Sequence, residues 1–249
     1  MSRAPLARGR AGNEGDIHRL VLWNIDLTLV DVGRVSRAAF AEAFRSITGR
    51  PLVKLPMVAG LSEPEIFFEA LASNGVSLRG DDSERLLAPF GSEYATAMAR
   101  RRDALTAEGR LLPGAGEAMA AVAAVPGVVA SVLTGSSRPN AVLKLRAFGL
   151  DRFVDLTVGG FGSEAYPKGT LLRVARQRAE EKYGASFAER ATLYIADSSR
   201  DIAAARIGGA TAVAVASGRA GTSELRDAGA DHVLPDLTDS ARLITIITS

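Results

Sequence analysis

The 249-residue sequence contains no cysteine, which excludes disulfide bonds and metal sites built on thiolates. It also lacks an excess of one charge sign, because the formal net charge is only +2. The basic residues are not interleaved with aromatic ones, so we expect no nucleic-acid partner. The absence of cysteine suits a cytoplasmic protein, and this is the location we expect.

A long uninterrupted apolar run is also missing. The segment 118–135 is the only candidate membrane span, but Pro126 and Gly127 divide it. This pattern predicts a small-residue helix, a turn and a buried strand, and no membrane span. No apolar run precedes Leu20, so we expect no signal peptide and no membrane partner.

The remaining pattern predicts one α/β domain with an insert. Residues 1–17 are rich in glycine, arginine and alanine and lack periodicity, which predicts a disordered tail. Helical patterns alone occupy 34–110. Strand and helix patterns alternate from Pro113 onward, as is typical of a parallel sheet covered on both faces. The core is therefore predicted at 18–33 and 111–249, with a helical insert at 34–110.

The predicted strands provide the positions for chemistry. They include Leu20–Ile25, Val128–Leu133, Val154–Val158 and Thr192–Ala196. The carboxyl ends of parallel strands meet at one edge of a sheet, where open α/β sheets bind ligands.

The first strand ends in a polar segment that contains Asn24 and Asp26. These residues are two apart, so on an extended strand their side chains project to the same face. An aspartate at position 24 would place a nucleophile beside a general acid/base. The residue there is asparagine, which lacks the carboxylate.

Three further loops carry polar groups at the same edge. Thr134 and Gly135 follow a strand, and a hydroxyl with backbone N–H groups there could hold an anion. Lys168 precedes a helix, and Asp197 and Asp201 span a strand end and a helix start. Phosphoryl transfer uses such groups: carboxylates for attack and proton transfer, a lysine and a hydroxyl for the phosphoryl charge, and acidic oxygens for magnesium.

In chain order, these four motifs resemble those of the haloacid dehalogenase-like superfamily, specifically its phosphatases with a helical cap, such as phosphoglycolate phosphatase-like proteins. The resemblance covers about residues 19–245. It implies a Rossmann-like parallel sheet with an inserted α-helical cap. It also implies magnesium-dependent hydrolysis of a phosphate monoester of a small molecule.

The resemblance assigns roles by position. Asn24 occupies the place of the nucleophile, and Asp26 that of the general acid/base. Thr134 and Gly135 correspond to the loop that binds the phosphate. Lys168 corresponds to the lysine that steadies the phosphoryl oxygens and the nucleophile.

The resemblance also implies a magnesium site. Its ligands would be Asn24, the backbone carbonyl of Asp26, and Asp197, with Asp201 in the metal shell. The helical cap would act as a lid, hinged near Asp31–Val35 and Leu111–Gly114. Its loop Val58–Ser62, which contains Gly60 and enters a helix, is the expected specificity loop.

Two residues depart clearly from the family pattern. Asn24 lacks the carboxylate, and Leu27 stands where these phosphatases usually have glycine. Three interpretations stay open: a phosphatase impaired by Asn24, whether the asparagine is natural or introduced; a catalytically inactive phospho-ligand binding protein; and a haloacid dehalogenase. A dehalogenase would also need the carboxylate and would have no use for Asp26 or a metal. No sequence motif identifies the substrate or the oligomeric state.

Overall fold

The computed structural model describes residues 18–76, 82–164 and 167–249. The predicted disordered tail, residues 1–17, lies outside the described residues. The strands are β1 (Arg19–Trp23), β2 (Val30–Asp31), β3 (Arg110–Leu111), β4 (Val128–Thr134), β5 (Gly160–Phe161), β6 (Thr192–Ala196), β7 (Thr211–Val215) and β8 (His232–Leu234). Six of these form a parallel sheet in the order β5-β4-β1-β6-β7-β8, which confirms the predicted parallel sheet.

The helices alternate with the strands of this sheet after residue 113, as predicted. They are α1 (Gly33–Thr48), α2 (Glu63–Ser73), α3 (Asp82–Arg100), α4 (Arg102–Glu108), α5 (Ala115–Ala123), α6 (Arg138–Ala147), α7 (Lys168–Tyr183), α8 (Ser199–Gly208), α9 (Thr222–Asp227) and α10 (Ser240–Thr248). Helix α2 begins with a capping box, in which Ser62 and Glu65 satisfy each other's backbone N–H groups.

The central strand shows why the sheet is covered on both faces. Along β1, Val21 and Trp23 belong to one buried cluster, while Leu20 and Leu22 belong to another. Side chains alternate across a strand, so β1 is apolar on both sides. Helices α5, α6 and α10 contribute to the first cluster, and α7, α8 and α9 to the second.

Helices α1–α4 lie between the short strands β2 and β3. These two strands pair antiparallel, with Val30 opposite Leu111 and Asp31 opposite Arg110, so the two connections to the insert run side by side. Inside the insert, Phe67 and Phe90 stack with ring centroids 4.1 Å apart. The insert shares its buried apolar cluster with one face of the sheet.

Two predicted details differ from the structure. The segment Val154–Val158 is not a strand, because the Asp155 side chain accepts hydrogen bonds from the backbone N–H and the hydroxyl of Thr157 and turns the chain. The edge strand follows as β5. The helical pattern predicted across 34–110 is also broken at Arg101, where α3 ends and α4 follows. Within the described residues, no helix has the length and apolarity needed to cross a membrane.

Candidate active site

The sheet register brings the polar strand ends together. Trp23 of β1 pairs with Val132 of β4 on one side and with Ile195 of β6 on the other. The residues that follow these positions therefore meet at one edge. They include Asn24, Thr134 and Asp197, as the sequence predicts.

The side chain of Asn24 is buried, and its amide nitrogen faces three oxygen atoms. Nδ2 lies within hydrogen-bond distance of the carbonyl oxygen of Asp26 at 2.9 Å, of Oγ1 of Thr28 at 3.0 Å and of Oδ1 of Asp197 at 3.0 Å. Because the amide nitrogen has two hydrogens, two of these acceptors share one of them. Thr28 gives its own hydroxyl hydrogen to Asp197 at 2.8 Å, so it acts as an acceptor toward Asn24. All three neighbours are thus acceptors, which fixes the nitrogen of the amide toward them.

These contacts test the predicted metal ligands. The carbonyl of Asp26 and the carboxylate of Asp197 converge on one point, as two ligands of a cation would. The third group, the amide of Asn24, presents N–H to that point. In this arrangement the residues do not fit a divalent cation. Among the described residues, no group of three or more histidine or acidic side chains is arranged to hold a metal ion.

Asp26 is paired with a lysine that sequence reasoning missed. Lys144 of α6 donates to both carboxylate oxygens of Asp26, at 2.8 and 2.7 Å. It also donates to Oγ of Ser136 at 2.9 Å, and Ser136 in turn lies 3.1 Å from Asp26 Oδ2. Asp26 is therefore held by two residues that follow the Thr134–Gly135 motif, Ser136 and Lys144.

A carboxylate that sequence reasoning also missed lies close to this group. Glu63, at the start of α2, accepts from Nδ2 of Asn140 at 2.9 Å. Burial raises the pKa of Glu63, and the positive charge of Lys144 acts in the opposite direction. Asn140 and Lys144 are four residues apart on α6, so they lie on the same face of that helix. This spacing, beside the buried Ala141 and Leu145, was a signal in the sequence.

The loop of Thr134 and Gly135 lies beneath the insert. The hydroxyl oxygen of Thr134 accepts from the backbone N–H of Ser136 at 3.1 Å, and its O–H hydrogen is not used in that contact. The carbonyl of Gly135 accepts from the backbone N–H of Glu63 at 2.8 Å. A Cβ at position 135 would lie 2.1 Å from the carbonyl oxygen of Leu61, so this close approach requires glycine.

The expected specificity loop lies over the site edge. The guanidinium of Arg200 donates to the carbonyl of Ala59 at 3.2 Å. A Cβ at Gly60 would lie 2.7 Å from Oγ of Ser198. The loop Val58–Ser62 is therefore in contact with residues that follow β6 as well as with Gly135.

Lys168 and Asp201 form a fully enclosed pair. Nζ of Lys168 donates to Oδ1 of Asp201 at 2.7 Å, and the hydroxyl of Tyr194 lies 2.9 Å from the same oxygen. Ser198 donates to the other oxygen at 2.5 Å. Burial and the charge of Asp201 raise the pKa of Tyr194 well above its ordinary value, so Tyr194 is a neutral donor.

Asp197 lies between Asn24 and the pair formed by Lys168 and Asp201. Burial and the charge of Asp201 raise its pKa from 3.8 to about 7, against the opposing effects of Thr28, Lys168 and Asn24. A Cβ at Gly218 would lie 2.1 Å from Oδ2 of Asp197, so the loop after β7 closes tightly against this carboxylate.

Leu27 adopts the backbone conformation that glycine favours. Its φ is +60°, in the left-handed region. Its backbone N–H donates to the carbonyl of Val30, and its carbonyl accepts from Ser217. The turn thus keeps its shape with a leucine in place of the usual glycine.

A cavity of about 780 Å³ lies beside the site. It is formed where α3 faces the beginnings of α2 and α6, and Glu63, Phe90 and Ser137 are among its lining residues. Oδ1 of Asn140, which lies near this cavity, is buried without a hydrogen-bond partner.

Comparison with solved structures finds the same fold in several proteins. A hydrolase from Pseudomonas syringae is 24% identical with a TM-score of 0.67, and the alignment covers 93% of this chain and 100% of that one. A protein described as a predicted phosphatase from Clostridium acetobutylicum is 15% identical with a TM-score of 0.69, covering 92% and 99%. One described as a predicted phosphoglycolate phosphatase from Haemophilus somnus is 19% identical with a TM-score of 0.60, covering 92% and 99%.

No curated protein matches the chain significantly. The sequence profile of the family described as haloacid dehalogenase-like hydrolase matches residues 21–206, which is more than half of the chain and includes all four motifs. The family inferred from those motifs is confirmed: the chain belongs to the haloacid dehalogenase-like hydrolases.

Proposed function

We propose that this protein binds the phosphate monoester of a small molecule and belongs, by reaction class, to the phosphatases of its family. The observation that carries this proposal is the convergence of a hydroxyl, a buried lysine and several carboxylates around position 24. In the proposal, Thr134, the backbone of Gly135 and Lys168 hold the phosphate. A hydroxyl, backbone N–H groups and an ammonium group together suit the oxygens of a phosphate dianion.

The proposed reaction needs a nucleophile at position 24. A carboxylate there would attack phosphorus, the bond from phosphorus to the ester oxygen would break, and Asp26 would supply the proton of the leaving alcohol. Water would then hydrolyse the acyl phosphate. The amide oxygen of Asn24 is a far poorer nucleophile than a carboxylate. We therefore propose that the chain with Asn24 turns over slowly.

Magnesium enters the proposal as the cofactor implied by the family. With an aspartate at position 24, the carbonyl of Asp26 and the carboxylate of Asp197 would bind it, with Asp201 in the metal shell. The amide of Asn24 would have to turn so that its oxygen faces the ion. Because the amide nitrogen now donates to these two oxygens, we propose weaker magnesium affinity than an aspartate at 24 would give.

We propose that residues 34–110 act as a lid over a core made of 18–33 and 111–249. The paired strands β2 and β3 at the two connections support a hinge there. The cavity beside Glu63 and Phe90 offers space for the organic part of the ester. We also propose that the protein is cytoplasmic and has no nucleic-acid partner.

The test is the substitution Asn24→Asp. We expect it to raise magnesium-dependent hydrolysis of an aryl phosphate by at least about a thousandfold, or ~4 kcal/mol of barrier. Adding Asp26→Asn to this variant should abolish the gain, because the leaving oxygen loses its proton donor. Intact-mass measurement must first show that residue 24 of the starting protein is an amide.

The outcomes separate the candidate functions. Equal rates for the asparagine and aspartate proteins would place the nucleophile elsewhere and defeat the mechanism. If both proteins are inert on a broad panel of phosphate esters, phospho-ligand binding without turnover becomes the better description. A dehalogenase would also need a carboxylate at position 24, so the amide of Asn24 favours that second candidate over a dehalogenase.

A further inference from the structure

We propose that the side-chain amide of Asn24 replaces a bound cation in this chain, so that the site binds phosphate without magnesium. The inference rests on the proposed phosphate site and adds its cation requirement. Its starting point is the position of Nδ2, which lies 2.9–3.0 Å from a carbonyl, a hydroxyl and a carboxylate oxygen. The nitrogen occupies the point on which the predicted metal ligands converge.

The same geometry with an aspartate would be repulsive. A carboxylate oxygen in place of the nitrogen would face three oxygen atoms at hydrogen-bond distance, one of them on the carboxylate of Asp197. Two carboxylates this close cannot both stay ionised unless a cation or a proton lies between them. An aspartate at 24 therefore requires a bridging cation or a shared proton, whereas the N–H groups of the amide supply the bridge themselves.

The amide also excludes the ion it replaces. Magnesium needs oxygen ligands at about 2.0–2.1 Å, so it could enter only after the amide had turned and released its hydrogen bonds. The hydroxyl of Thr28 holds the arrangement in place, because it accepts from Asn24 and donates to Asp197. The amide orientation is thus fixed by a closed set of contacts.

The groups proposed for phosphate lie outside this set. Lys168 is held by Asp201, and the hydroxyl of Thr134 belongs to a different loop. Lys144 balances the charge of Asp26. An amide at 24 carries one negative charge less than a carboxylate, so an incoming phosphate meets less repulsion in the absence of a metal.

The test is calorimetric binding of inorganic phosphate to protein freed of metal with a chelator, and again with saturating magnesium. For the asparagine protein we expect dissociation constants that agree within about threefold, or ~0.7 kcal/mol. For Asn24→Asp we expect binding to weaken by about tenfold or more when magnesium is removed, equal to ~1.4 kcal/mol. Thr134→Val is the control for binding at this site and should weaken phosphate binding in both conditions.

Each other result has a definite meaning. If the asparagine protein needs magnesium as much as Asn24→Asp does, the amide does not replace the cation and the inference is wrong. If the asparagine protein binds no phosphate in either condition while Asn24→Asp binds it with magnesium, the inference is also wrong, but the proposed phosphatase site stands. If neither protein binds phosphate in any condition, the proposed function fails together with the inference.

Discussion

Two buried lysines form ion pairs on either side of Asn24, and their partner carboxylates have different surroundings. Lys168 and Asp201 have side chains that are 5% and 1% exposed, with Nζ and Oδ1 2.7 Å apart. Lys144 and Asp26 are equally close, but their side chains are 3% and 42% exposed. The two lysines are alike, while one carboxylate is enclosed and the other is open.

This difference separates a structural pair from a pair that can react. Both oxygens of Asp201 receive hydrogen bonds from neighbouring side chains, so this carboxylate serves to hold Lys168 in place. Asp26 is held by Lys144 and Ser136 on one side and is accessible on the other. A carboxylate that is fixed yet accessible is what a proton donor to a leaving group needs.

The largest effect is expected from Lys168→Met. The substitution would leave Asp201 buried without its cation, at a cost of about 3–5 kcal/mol in the free energy of unfolding. Urea unfolding followed by circular dichroism measures this. Lys168→Met combined with Asp201→Asn is the control, since removing both charges should recover most of the loss. No recovery in the double variant would mean that the lost stability comes from packing of the lysine chain.

A smaller loss is expected from Lys144→Met. Water can reach Asp26, so its carboxylate keeps part of its solvation when the lysine is removed, and we expect a cost of about 1–2 kcal/mol. The same urea titration gives the value. If Lys144→Met costs as much as Lys168→Met, exposure of the partner carboxylate is not what distinguishes the two pairs.

Glu63 makes the stability of the protein depend on pH, because it adds a second, buried carboxylate near Lys144. Burial raises the pKa of Glu63 above its ordinary 4.5, so the folded state holds this proton more tightly than the unfolded state. The stability contribution of Glu63 must therefore fall as pH rises from 4.5 through the raised pKa. Glu63→Gln should lose this part of the pH dependence. Midpoints of urea unfolding across a pH series check it, and parallel curves for the two proteins would contradict it.

Much of the fold could be predicted because local patterns agree with it. Strand β6 and the helix of Gly33–Thr48 follow from apolar periodicity and from glycine at the helix end. The segment Val154–Val158 misled the prediction because its β-branched residues suggest a strand, while the Asp155 side chain forms a turn. Strands β2 and β3 have two residues each, which is too few for an alternating sequence pattern to predict them.

The site residues that lie in sequence motifs could be predicted. Residues that reach the site only through contacts between distant elements could not. Thr134, Lys168 and Asp197 lie in motifs with a fixed order along the chain. Lys144 lies inside a helix, where a lysine usually points to solvent. Its four-residue spacing from Asn140, next to the apolar pair Ala141 and Leu145, marks a helix face but not its partner, because tertiary packing brings Asp26 to it. The amide of Asn24 is visible in the sequence, but the contact that links it to Asp197 is not, because Asp197 lies 173 residues away along the chain.

The smallest effect is expected from Leu27→Gly, in the turn that follows Asn24 and Asp26. A left-handed backbone costs a leucine about 1–2 kcal/mol, while glycine loses about 0.5–1 kcal/mol of additional chain entropy on folding. The net change should be a stabilisation below about 1 kcal/mol, measured by urea unfolding. Glu189→Gly is the matched control, because Glu189 also has a positive φ of 37° but is exposed and belongs to a turn before β6. If Leu27→Gly instead destabilises the protein and Glu189→Gly does not, the leucine side chain itself holds the turn, and with it the position of Asn24 between the two pairs.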